Sequence, residues 1–270
     1  MPIFRKILAF YIESSLHVAL AVYALIRITF LKLNIAYDES VAYFGFFGTI
    51  VGYNFIKYDE LARVKKVVLT PTFKAIIGLS FIAGLATFYY FLELQTKTKL
   101  IGFIALFITI IYTLPFFPRK QNMRNWSGVK IYLVAIAWVI VTVVLPVFDS
   151  NYAFDRVVLL KCLQRFIFVF VLLLIFEIID LQFDSKKLQT IPQRIGIKQT
   201  KYLAYLLLVI FIAMDFLKPH ISQIHLMTTI SIAILIAVFT FFANAKRNKY
   251  YTSFWVESIP FFWLILLLLF

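Results

Sequence analysis

Nine times between residues 7 and 270 the chain settles into an apolar run long enough, or nearly so, to cross a bilayer. That pattern leaves few options for folding. Inside hydrocarbon no water pairs with the backbone, so each segment must satisfy its own peptide groups as a helix or join a closed barrel. The runs are continuous and close to helical length, without the apolar–polar alternation of a barrel strand, so they read as helices. Their approximate limits are 7–30, 41–55, 73–92, 100–117, 129–147, 157–179, 202–216, 227–242 and 254–270. The second is short, and Glu13 and His17 can interrupt the first. At 63% hydrophobic residues the chain lies well above the roughly half found in soluble proteins. The expectation is an all-α polytopic membrane protein, a bundle of nine transmembrane helices filling residues 1–270 as a single integral membrane domain.

A net charge of +14 invites a nucleic-acid partner, but the placement of the charges argues against one. With the N-terminus inside, Lys and Arg gather in alternate loops: Arg5 and Lys6, then Lys57 to Lys66, Arg119 to Lys130, Lys186 to Lys201, and Lys246 to Lys249. The intervening loops hold only Lys32, Lys97, Lys99, Arg156 and Lys218. This is the positive-inside distribution, and it predicts an N-in, C-out topology without any nucleic acid. The lone cysteine, Cys162, excludes an intrachain disulfide and a cysteine-based metal site. The basic lead of residues 1–6 lacks a small-residue cleavage site after its apolar run, so that run is expected to persist as the first span.

The sixth run ends in acids. Glu177, Asp180 and Asp184 stand at i, i+3 and i+7. At about 100° per residue they share a sector of roughly 60° on one helix face. Such a face at a membrane boundary is costly unless it meets a cation. Leu188, Thr190, Ile191, Pro192, Ile195 and Gly196 follow, completing D-x-x-x-D-x-x-x-L-x-T-I-P-x-x-I-G. This stretch resembles the second aspartate-rich motif of the UbiA superfamily of intramembrane prenyltransferases, with Glu177 where that family usually has its first aspartate.

The resemblance extends in outline to the whole chain. The end of the second run occupies the place of the family's first motif, N-D-x-x-D-x-x-x-D. Asn54 matches its asparagine and Arg63 its following basic residue, while Phe55, Tyr58 and Ala62 stand at the three aspartate positions. Asp59 and Glu60 replace those acids only if the helix ends or kinks before them, because on a continuous helix they point away from the Asn54 face. Lys57 lies about 60° from that face. It is either a point charge for a phosphate or an ordinary cytoplasmic anchor. Tyr112, Lys120, Arg124 and Gly128 fit the family outline of a tyrosine, a basic cluster and a glycine opening the next span. Lys120 and Arg124 either bind a diphosphate or only set topology.

By this resemblance, Glu177, Asp180 and Asp184 would hold Mg²⁺ in one site rather than two, and Asn54 and Lys57 would serve the diphosphate. The partners would be a prenyl diphosphate, a lipophilic acceptor of aromatic or quinone-precursor type, and membrane lipids. The site would face the cytoplasm from a bacterial inner membrane. The retained acidic face favours prenyl transfer; the lost acids of the first motif favour a degenerate relative that binds lipid or acts as a scaffold. Elsewhere, Glu13 and His17 at i, i+4 can pair with each other, and Arg165 is expected too far from the acids to meet them.

Overall fold

The computed structural model describes residues 3–64, 70–115, 123, 126, 128–185 and 188–270, for residues 4 and 60–64 the backbone alone. The described chain is helical and contains no strand. Its helices are α1 (Ile3–Glu13), α2 (Leu16–Leu33), α3 (Glu39–Val64), α4 (Pro71–Glu93), α5 (Thr96–Thr113), α6 (Lys130–Val139), α7 (Leu145–Asp149), α8 (Arg156–Asp180), α9 (Ile191–Ala213), α10 (Gln223–Phe242) and α11 (Ile259–Leu269). A π-turn, Ile140–Val144, welds α6 to α7, and a second, Tyr251–Val256, precedes α11.

Eight helical rods among the described residues are long and apolar enough to cross a membrane, and each coincides with one of the expected runs. Helix α3 occupies the remaining expected place. Its 26 residues extend about 39 Å, but its C-terminal end is polar. The protein is an integral membrane protein by this architecture.

Helices α2 and α8 are the inner rods, and α4 is the most peripheral. Between Phe166 and Phe176 helix α8 is apolar around its whole circumference, as a rod enclosed by others must be. Its residues Phe168 to Ile178 form the centre of the largest core cluster, with α6, α9, α10 and α11 packed around them. Trp263 of α11 closes that cluster against Phe168 and Phe211.

The first run is not one helix. Ser15 takes a left-handed conformation at φ 64°, and the chain breaks there between α1 and α2. The break overturns the expected Glu13–His17 pair, since the two no longer stand one turn apart on a common helix. Instead His17 is buried between Phe254 and Phe261, with Nε2 2.9 Å from the Phe254 carbonyl and Nδ1 2.9 Å from the Tyr11 hydroxyl. A carbonyl only accepts, so Nε2 carries the proton and Nδ1 accepts from Tyr11. Glu13 turns outward, 4.0 Å from Lys249.

The π-turn between α6 and α7 has a similarly local cause. Pro146 has no N–H to give Thr142, four residues earlier, so the Thr142 carbonyl is released from the helical ladder. The Thr29 hydroxyl of α2 donates to it at 2.5 Å, and Arg165 of α8 in turn donates to the Thr29 oxygen at 3.3 Å. One proline thus couples three helices.

Candidate active site

Helix α8 ends at Asp180, but the next turn stays coiled. The backbone N–H groups of Phe183 and Asp184 both donate to the Asp180 carbonyl at 2.8 Å. This keeps Asp184 one turn beyond Asp180. Glu177 is 5% exposed, and its Oε2 accepts from the backbone N–H of Ile191 at 3.1 Å. Ile191 opens α9, where the first N–H groups have no partner inside the helix. Glu177 therefore caps α9 from α8, and its negative charge suits the positive helix start.

The rest of the motif builds that helix start. Thr190 precedes α9, Pro192 sits where no N–H is required, and the Gln193 side chain accepts from the Thr190 N–H at 3.1 Å. Gly196 then breaks the helix after little more than one turn, at φ 81° and ψ 160°. That region is open essentially to glycine alone. Gly128, also left-handed at φ 70°, donates its N–H to the Leu188 carbonyl at 3.1 Å. The loop before α6 is so pinned to the acidic turn.

That pinning brings in Lys130, which the sequence suggested only as a topology charge. It lies within electrostatic range of both Glu177 and Asp180 and offsets part of their repulsion with Asp184. The Oδ2 of Asp184 is buried and has no hydrogen-bond partner among the described residues. A carboxylate oxygen in that position is short of a cation or donor. Among the described residues, no three His, Cys, Asp or Glu side chains converge closely enough to hold a metal by themselves. The donor set fits a Mg²⁺ held by one or two carboxylates, with waters and substrate oxygens completing its shell.

Across the bundle, α3 runs unbroken through Asp59 and Glu60 to Val64, so Asp59 does not turn onto the Asn54 face. Asn54 is 4% exposed and fully engaged. Its Nδ2 donates to the Ser14 carbonyl at 3.1 Å and to Ser80 Oγ at 2.8 Å, and its Oδ1 accepts from Ser15 Oγ at 2.8 Å. Asn54 thus clamps the α1–α2 break to α3 and α4. Lys57 reaches the same break, donating to the Ile12 carbonyl at 3.2 Å and to Ser15 Oγ at 3.0 Å. Glu257, ahead of α11, is the acid that balances it. Glu257 was invisible in the sequence because it is the lone acid of the last span. Lys120 and Arg124 lie outside the described residues.

The sequence matches no known family and no curated protein. Three solved structures share the arrangement of the helices over nearly their whole length. A UbiA homologue from Archaeoglobus fulgidus bound to GPP and Mg²⁺ has a TM-score of 0.63 at 12% identity, covering 96% of this chain and 98% of that one. A UbiA homologue from Aeropyrum pernix K1 gives 0.59 at 16%, covering 95% of each chain. This is the UbiA fold. A digeranylgeranylglyceryl phosphate synthase shares it too, with a TM-score of 0.57 at 15% identity over 98% of this chain and 96% of that one. In the UbiA fold of this protein, the acidic turn after α8 and the α3 clamp lie at the same end of the bundle as the α1–α2 break and the start of α9.

Proposed function

We propose that this protein is a UbiA-superfamily prenyltransferase that binds a prenyl diphosphate through Mg²⁺ at Asp180 and Asp184 and passes the isoprenoid to an aromatic or quinone-precursor acceptor. The observation that supports this reading is the buried Oδ2 of Asp184, beside Asp180 and without a partner among the described residues, in a fold shared with a homologue solved with GPP or DMAPP and Mg²⁺. Mg²⁺ would neutralise the diphosphate and ease its departure. Asp180 and Asp184 hold the metal face, and Glu177 positions the turn by capping α9. Lys57 keeps one ammonium proton beyond its two bonds to the α1–α2 break, and it supplies positive charge where the first motif lacks acids. Lys120 and Arg124 add charge from the loop between α5 and α6. Asn54 acts by fixing the mouth rather than by touching substrate. The apolar interior takes the isoprenoid tail, and the closed helical wall excludes water from the departing cation.

The positive-inside distribution of the basic loops supports a cytoplasmic-facing site in a bacterial inner membrane, with the N-terminus inside and the C-terminus outside. A test is geranyl diphosphate binding to purified protein, with Mg²⁺ or chelator, in wild type and in Asp180→Asn/Asp184→Asn. Binding that needs both the metal and the aspartates supports the reading. Binding indifferent to both, or none, overturns it. A second reading, a non-catalytic relative that retains the fold to hold lipid, is favoured by Asn54, whose polar atoms are all committed to the scaffold.

A further inference from the structure

At the opposite end of the bundle, four cations from three segments are drawn inward. Lys161 and Arg165 come from α8, Lys32 from the last turn of α2, and Lys218 from just beyond α9. Lys161 stands nineteen residues before Asp180 on α8, roughly 28 Å along its axis. Lys161 is 9% exposed and Arg165 5%. One carboxylate, Asp215, faces them, so the cluster carries a formal excess of three positive charges. Burying charge without compensation is expensive, and more so at the edge of a bilayer.

The existing partners do not absorb that excess. Arg165 donates to the Leu25 carbonyl and to Thr29, both neutral. Lys32 donates to Thr229 Oγ1 at 2.9 Å and lies over the Trp263 ring. Lys218 takes Asp215 Oδ1 and Gln164 Oε1. Lys161 has no acceptor among the described residues, and the ammonium groups of Lys218 and Lys32 face it. Lys32, Lys161, Arg165 and Trp263 line one small cleft that opens at its mouth. Trp263 Nε1 is a buried donor without a partner among the described residues. Beside the mouth, Phe216 and Leu217 are exposed as a lipid-facing surface would be.

We propose that this cleft binds a phosphate group, carried on the headgroup of an anionic phospholipid whose acyl chains lie along the exposed apolar flank. Lysines suit the role, being compact point charges that meet phosphate oxygens from several directions. Lys161 and the Trp263 indole supply unused donors. Lys32 and Lys218 supply charge. The site is separate from the acidic turn, and its occupant does not react.

The test uses the full chain in detergent, titrated with phosphatidylglycerol, phosphatidylcholine and inorganic phosphate, with bound lipid counted by native mass spectrometry. Wild type is expected to hold phosphatidylglycerol in preference to phosphatidylcholine. Lys161→Met should weaken that binding by about tenfold, the effect of losing one charge-assisted bond. Lys97→Met, an exposed charge, and Asp180→Asn should leave it unchanged. Competition by inorganic phosphate would assign the cleft to a soluble phosphate; its failure to compete would assign it to the lipid. Unliganded Lys161→Met should be at least as stable as wild type, because an unmatched charge has been removed. Equal retention of both lipids with no phosphate competition, or wild-type binding by Lys161→Met, overturns the proposal. So does a loss of unliganded stability, which would make Lys161 a structural partner of the free Asp215 Oδ2.

Discussion

Replacing Glu177 by glutamine, beside Asp184→Asn, separates a cap from a metal ligand. Glu177 Oε2 accepts from the Ile191 N–H at 3.1 Å in a buried setting. A glutamine oxygen makes the same contact without the charge. Hydrogen bonds to charged groups contribute about 1.5–3 kcal/mol and neutral ones about 0.5–1.5, so the substitution sacrifices roughly 1 kcal/mol. Part of that returns, because Glu177 no longer repels Asp180 and Asp184. The net change in stability should therefore stay below about 1 kcal/mol. Glu177→Ala is different: it strands the Ile191 N–H and opens space against the core, and should cost about 2–4 kcal/mol. Unfolding in detergent reads these values, and calorimetric titration with geranyl diphosphate and Mg²⁺ reads the site. Glu177→Gln should bind within about threefold of wild type, while Asp184→Asn should lose tenfold or more at unchanged stability. If Glu177→Gln keeps its stability yet binds as poorly as Asp184→Asn, its carboxylate is a ligand and the capping argument fails.

Gly196→Ala should cost about 1–3 kcal/mol in thermal unfolding, because its φ of 81° and ψ of 160° exclude a Cβ. Gly78→Ala, on the open face of α4, should be neutral or stabilising, and a large loss there would discredit the comparison. Asn54→Ala removes three interhelical hydrogen bonds at about 0.6 kcal/mol each in a membrane protein, a total near 2 kcal/mol measurable by unfolding. It should also raise hydrogen exchange at the α1–α2 break, and protection equal to wild type would refute the clamp. Thr29→Val leaves the Thr142 carbonyl without its donor and should cost about 1–3 kcal/mol. Restoring the N–H with Pro146→Ala in the same chain should recover part of that loss, and a purely additive double mutant would sever the link between them.

What could be read from the sequence follows from the range of each interaction. Apolar runs of helical length report burial in lipid directly, so the rods α4 to α11 fell where hydropathy placed them, with α6 and α7 welded into one. The acidic turn was also legible, because its residues sit within two turns of one helix and its helix start is encoded by Thr190, Pro192 and Gln193 in succession. An interruption of the first run was expected from Glu13 and His17, but its left-handed serine was not, since Ser15 is held by Asn54, thirty-nine residues away. The contact from Glu177 to the start of α9 was not legible for the same reason: its backbone partner lies fourteen residues downstream, beyond the reach of helical periodicity. The extra methylene that distinguishes Glu177 from the aspartate of the resembling motif lengthens its reach toward that partner. Lys32, Lys161, Arg165 and Lys218 illustrate the same limit from the other side. Read one by one they were scattered charges near helix ends; only the antiparallel return of α2, α8 and α9 gathers them round one cleft. Local signals therefore located the acidic end, whose carboxylates lie on one helix and the turn that follows it. The basic end, assembled from separate rods, could emerge only once the rods were packed, and its excess charge is what sets it apart from an ordinary snorkelling fringe.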